Sequence, residues 1–280
     1  MIATLLKHEF IRTRGMLAAI LGIGVLLTVV GTLMTATGWI VIAELGSILA
    51  FIVISVLVPA LQIGLAFDFW FSSFRRTGYF TQTLPIKGST IYWSKALWGT
   101  LITIAGLGIS VLLSAMFWAA LGPSMMMSGN LFAEIGALAD FLPTGPAVAI
   151  VAFVVISYVG WLMQLLFAAT IGSGKALGRL SIGGPIIVYL VAYTISQIIL
   201  LLGLLLIPLA VEVTESGARI IQAGLLSEML TELQLSSAPT ESASGGTAIV
   251  PLGFIPPMLL IYVVSIWWSV RNWNKKIALA

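Results

Sequence analysis

Six apolar runs, at residues 16–36, 45–67, 96–121, 147–171, 182–210 and 250–270, dominate this chain, and the charged residues are sorted by sign between the gaps that separate them. Each run has the roughly 20 residues that a helix needs to cross about 30 Å of hydrocarbon at about 1.5 Å per residue. Twelve of the thirteen Lys and Arg residues fall in alternate gaps: Lys7, Arg12, Arg14, then Arg75, Arg76, Lys87, Lys95, then Lys175, Arg179, and finally Arg271, Lys275, Lys276. The other gaps hold Glu44, Glu134, Asp140, Glu212, Glu215, Glu228, Glu232 and Glu241, with Arg219 as their one base. By the positive-inside rule this pattern predicts an all-α polytopic membrane protein with six transmembrane helices and both termini in the cytoplasm.

Composition excludes the main soluble classes. The 280 residues are 60% hydrophobic and 8% charged, with a mean hydropathy of +1.12, outside the range of a soluble domain. A net charge of +3 in this pattern reports topology and anionic headgroups rather than nucleic-acid binding. With no cysteine, disulfides, thiolate metal sites and cysteine nucleophiles are excluded, and His8 alone makes a poor metal ligand set. Trp70, Trp93, Trp98, Trp267, Trp268 and Trp273 fall near the basic ends of the runs, Trp39 and Trp118 near the acidic ends, as interfacial aromatic belts require. The first run is too long for a cleaved signal peptide, and no A-x-A site follows it.

Several segments outside the runs carry information. At the N-terminus, Ile2, Leu6 and Phe10 share a helical face while Lys7, Glu9 and Arg14 lie elsewhere. Two readings fit: an amphipathic helix on the cytoplasmic surface before the chain turns into the bilayer, or a basic flank that only sets orientation. The segment from Ser72 to Lys95 is the longest cytoplasmic gap, and Phe74, Tyr79, Phe80, Leu84 and Ile86 make it too apolar for a solvated linker. Aromatic residues beside Arg75 and Arg76 read as a docking surface or as a headgroup-bound loop. Pro85 should end any preceding helix, and Gly88-Ser89 should cap the next.

The stretch Arg75-Arg76-Thr77-Gly78-Tyr79-Phe80-Thr81-Gln82-Thr83-Leu84-Pro85, followed by Lys95 and set among six spans, resembles the permease subunit of ABC type 2 transporters. The resemblance covers the whole chain in architecture, as one ABC type 2 transmembrane domain, and is most specific over residues 68–95. Relatives often carry an acid near the Gly, where this chain has Arg75 and Arg76. The resemblance implies that Arg75, Arg76, Thr77, Gly78, Tyr79, Phe80, Thr81, Gln82, Leu84 and Pro85 form a cytoplasmic coupling helix docking on a separate ATPase subunit. It further implies an exporter in the cytoplasmic membrane, pairing with a second permease chain, identical or related. ATP and Mg²⁺ would be bound by the partner and no cofactor by this chain.

Ile171-Gly172-Ser173-Gly174-Lys175-Ala176 mimics the tail of a phosphate-binding loop, but Ala176 replaces the required Ser or Thr and Ala169 the first Gly. A tight turn explains those glycines better. In the external segment 211–249, Ala218, Ile221, Leu225, Met229 and Leu233 recur at helical spacing, which predicts an amphipathic helix before a Ser/Gly-rich tether at 236–246. Few polar residues lie in or beside the spans: Gln62, Asp68, Ser157, Tyr158, Gln164, Tyr193, Ser196 and Gln197. They either bond helices together or line a translocation path. No span carries an ionisable group near its middle, which argues against ion coupling and fits an external energy source and an amphipathic, lipid-like, peptide or drug cargo. Two other classes compete: a membrane-embedded lipid-modifying enzyme, for which no catalytic constellation is visible, and a non-transporting assembly or sensor subunit.

Overall fold

The computed structural model describes residues 2–75, 87–141, 144–174, 177–214, 217–222, 224 and 248–275. Seven helices account for most of them: α1 (Ile2–Ala36), α2 (Ile40–Phe74), α3 (Gly88–Leu121), the short α4 (Leu131–Phe141), α5 (Thr144–Gly172), α6 (Gly183–Leu206) and α7 (Ile255–Asn274). Five of them, all but α4 and α7, are long and apolar enough to cross a membrane, the pattern of a multi-pass membrane protein. The six long helices run alternately up and down. Contacts at one end join all six: Arg12 with Asp68, Lys95 with Glu9, Ser89 with Asn274, Trp273 with Thr170, and Gly172 with Gly184.

The first three helices are longer than their apolar runs. α1 and α2 have 35 residues each and α3 has 34, about 50 Å at 1.5 Å per residue, so about 20 Å of each extends past a bilayer core. α1 corrects one expectation: it runs unbroken from Ile2, with no turn between a surface helix and a span. Its charged first third continues the helix and is tied to α2 and α3 through Arg12 and Glu9.

Close approach joins α1 to α2. A Cβ on Gly31 would sit 2.8 Å from the Gly46 carbonyl oxygen and 2.9 Å from the Ala50 nitrogen, so the two backbones touch as small residues in membrane helices allow. Gly46→Leu is expected to destabilise the fold by about 1–3 kcal/mol through overpacking. Gly22→Leu, with open space around it, is expected to leave the unfolding temperature in detergent unchanged. Threonines are buried on the same helix at little cost, because Thr13, Thr28 and Thr35 donate to carbonyls one turn back at 2.8–2.9 Å.

The larger buried core lies toward the end where the six helices converge. There Phe69 and Trp70 of α2, Tyr92 and Ala96 of α3, Leu162 and Leu166 of α5, and Trp273 of α7 form one buried cluster. A smaller one joins Leu17, Leu61 and Leu65.

At the opposite end stands a feature that the helical reading missed. The segments AVEVT (β1, Ala210–Thr214), GARII (β2, Gly217–Ile221) and AIVP (β3, Ala248–Pro251) form an antiparallel sheet in the order β2-β1-β3. The helix expected from Ala218 onward is therefore a strand over Gly217–Ile221, and the run expected to reach residue 210 ends as a helix at Leu206. β-branched residues favour the pleated form, and the register sets Arg219 opposite Glu212, an opposite-charge cross-strand pair. Leu225, Met229 and Leu233 lie outside the described residues.

The start of α4 is also at this end. Asn130 Oδ1 accepts from the Phe132 N–H at 3.0 Å, and Glu134 accepts from Ser128 N–H at 2.8 Å and Ser128 Oγ at 2.7 Å. Those two bonds hold the Glu134 carboxyl below its usual range. A carboxylate with a depressed folded pKa contributes above its unfolded value and loses that contribution as pH falls through the depressed one. The turn is therefore expected to loosen only in acid, read by proteolysis at Met125–Met127.

Candidate functional site

Four charged residues meet where α1, α2 and α3 converge. Glu9 and Arg12, three apart on α1, share a face and are bonded to each other. Arg12 reaches across to α2, placing Nε 3.1 Å from Asp68 Oδ1 and Nη2 2.5 Å from Oδ2, a two-pronged pair. Glu9 reaches the other way, its Oε1 lying 3.0 Å from Lys95 Nζ on α3. Lys95 also donates to Ser72 Oγ of α2 at 2.9 Å. The set carries two positive and two negative charges, which is what burial demands: the Lys95 side chain is 4% exposed and that of Glu9 11%.

The aromatic surroundings fix α1 on its neighbours. Trp98 Nε1 donates to Thr13 Oγ1 at 3.0 Å, and the Phe10 ring meets the Trp98 ring edge to face at 5.8 Å. A cleft between Asp68, Lys95, Trp98 and Leu162 has a cavity volume of about 10 Å³, room for about one water. In this conformation the cluster is a tie between helices and holds no chamber for a solute.

A second assembly anchors the two roots of the segment 76–86. On the α2 side, Phe74 lies 5.6 Å from Trp273 and 5.9 Å from Phe69, and Arg75 sits 5.0 Å above the Trp70 ring. On the α3 side, Asn274 of α7 accepts from the Ser89 N–H at 3.2 Å. The helix starts at Gly88 without a side-chain cap from Lys87, so α7 answers an orphan N–H that the sequence reading had assigned to Gly88-Ser89 itself. A Cβ on Gly88 would strike the Trp273 carbonyl, which is why glycine stands there. Of the ten residues expected in the coupling helix, Arg75 is placed; Arg76, Thr77, Gly78, Tyr79, Phe80, Thr81, Gln82, Leu84 and Pro85 lie outside the described residues.

The eight polar residues of the spans fall into separate settings. Gln62 is fully buried and joins three helices, its Nε2 donating to Thr103 Oγ1 at 3.0 Å and to the Tyr158 carbonyl at 2.8 Å. Its Oε1 has no hydrogen-bond partner among the described residues. Asp68 belongs to the charge cluster. Ser157 donates to the Phe153 carbonyl at 2.7 Å, and Gln164 reaches Ser196 at 3.4 Å. Tyr193 stacks on Tyr189 at 6.0 Å, 44% exposed, and Gln197 is exposed on α6. Gln62→Leu removes two hydrogen bonds and one orphan acceptor together. It is therefore expected to change stability by no more than about 1 kcal/mol in a detergent unfolding assay.

The buried pairing of Glu9 and Lys95 and the closure by Trp273 and Asn274 were not foreseen. One sequence signal pointed to the pairing: eight of the ten acids fall in the gaps that hold one base, leaving Glu9 and Asp68 as the two in the stretches rich in Lys and Arg. No family model, curated protein or solved structure matches the chain.

Proposed function

We propose that the chain is the permease subunit of an ATP-driven ABC type 2 exporter. In this reading α7, about 30 Å long at 20 residues, is the sixth span, both termini are cytoplasmic, and the charge cluster and aromatic cluster sit at the inner membrane face. The chain pairs with a second permease and with two cytoplasmic ATPase subunits, which bind ATP and Mg²⁺ and carry out the phosphoryl transfer. The cargo is amphipathic: lipid-like, a peptide or a drug.

The observation that carries the reading is the anchoring of both roots of the 76–86 segment beside the larger buried apolar cluster of the described residues. Phe74 and Ser89 are joined to α7 through Trp273 and Asn274, and Asp68 and Lys95 to α1 through Arg12 and Glu9. A push on the segment would move these helix ends as one block, which is what a mechanical input requires, and the residues within it resemble the coupling helix of the family. Replacing residues 76–86 by a Gly/Ser linker of equal length tests this. The expected result is loss of ATP-dependent efflux and of the bound ATPase subunit with the unfolding temperature unchanged; efflux at the original rate would contradict the reading.

A further inference from the structure

The segment that joins α3 to α5 exposes apolar side chains that water would not favour. Met125, Met126 and Met127 follow one another in the turn after α3, all exposed and Met126 wholly so. Met126 also stands at φ 59, the left-handed region that a residue with a bulky side chain seldom occupies. The turn is held from behind rather than by these side chains. The Met127 N–H donates to the Gly122 carbonyl at 3.0 Å, and Trp118 Nε1 donates to the Ser128 carbonyl at 3.1 Å. Met126 therefore sends its thioether outward, away from the rest of the described chain.

α4 continues the pattern. Phe132 and Ile135, three apart, share one face and are exposed. Glu134 lies about 160° round the helix from Phe132 and is tied back to Ser128. Among the described residues α3 is the one helix against which α4 packs to any extent. At the same end Trp39 and Ile40 stand at the start of α2, and Val148 and Val151 in the first turns of α5, all exposed. A single protein partner would cover one sector of that end, whereas an apolar layer surrounding the bundle meets every one of these segments. Helices with aromatic and aliphatic side chains on one face and a carboxylate off it lie at the boundary between headgroups and acyl chains.

We propose that the Met125–Met127 turn and the Phe132–Ile135 face of α4 are seated in the lipid surface at the end opposite the charge cluster, with α4 lying along the bilayer as an interfacial helix. This requires only that the long helices span a membrane, and it holds whether or not an ATPase subunit binds at the other end. The chain has no cysteine, so a nitroxide can be placed on one residue at a time in the full chain, reconstituted in vesicles of phosphatidylcholine and phosphatidylglycerol. Molecular oxygen concentrates among acyl chains and a nickel chelate in water, so their collision rates with the label tell lipid from solvent. For Met126→Cys, Phe132→Cys and Ile135→Cys the ratio of oxygen to nickel collisions is expected to be several-fold above that for Ala137→Cys. Ala137 is also exposed but lies about 140–160° round the helix from Phe132 and Ile135.

Nickel collisions as frequent at Phe132 and Ile135 as at Ala137 would place that face in water and overturn the proposal. Suppression of both collision rates at Phe132 and Ile135 would mean a protein cover, from a second copy or another chain, and would overturn it as well.

Discussion

Glu9→Ala is expected to cost about 3–5 kcal/mol of stability, among the largest effects of any single substitution in the described fold. The change removes the carboxylate facing Lys95, whose side chain is 4% exposed. The ammonium would be left with Ser72 Oγ as its remaining partner in that cluster and Arg12 as a like charge nearby. A buried charge without its counter-ion carries the full desolvation penalty, whereas removing both members of a pair is often close to neutral. Glu9→Leu combined with Lys95→Met is therefore expected to recover most of the loss. Arg12→Gln should cost less than Glu9→Ala, since the Arg12 side chain is 37% exposed and water screens its pair with Asp68. Thermal unfolding in detergent of the three variants separates these cases. Equal, small losses for Glu9→Ala and Arg12→Gln would contradict the account of the cluster.

Gly78→Asp is expected to reduce transport about 30-fold or more while the unfolding temperature stays unchanged. If residues 76–86 dock on an ATPase subunit, a carboxylate without a partner in that contact costs several kcal/mol at the interface and nothing within the helices that this chain packs together. Tyr79→Asp is expected to behave alike. ATP turnover by the partner should persist in both variants, so that hydrolysis and transport come apart. Efflux in reconstituted vesicles, measured beside phosphate release, reads both quantities at once. Unaltered efflux in either variant would remove the segment from the coupling role.

Much of the helical frame was legible in the chain because the hydrocarbon thickness imposes a length that few soluble sequences meet. The runs at 45–67 and 96–121 lie within α2 and α3, whose ends extend them by several residues. Those extensions were unreadable from apolarity alone: Asp68, Ser72 and Lys95 are polar, yet remain helical because they are bonded to one another and to α1. Tertiary pairing thus overrode the local signal for a boundary. The same effect removed the expected turn near Arg14, since the Glu9 and Arg12 contacts hold the first turns of α1 in line with the rest.

The sheet was misread for a different reason. Ala218 and Ile221 fit a helical period only together with residues beyond 224, whereas over Gly217–Ile221 alone the pairing with Ala210–Thr214 decides. That pairing is local, setting Thr214 opposite Gly217, whereas the one with Ala248–Pro251 depends on partners distant in sequence, which no local window contains. In the candidate site, Asp68 was picked out and Lys95 noticed, but their partners on α1 came from a segment read as a membrane-surface flank. Trp273 reads from sequence as an interfacial residue and Asn274 carries no signal there, and their closure of the α2 and α3 roots needed the bundle's arrangement to be seen.

The most direct test of the central claim is gentle purification of this chain from its native membrane, followed by mass spectrometry of what accompanies it. The account predicts a stoichiometric soluble subunit carrying a complete phosphate-binding loop, released when residues 76–86 are replaced. An intact, monodisperse chain with no such subunit would contradict it.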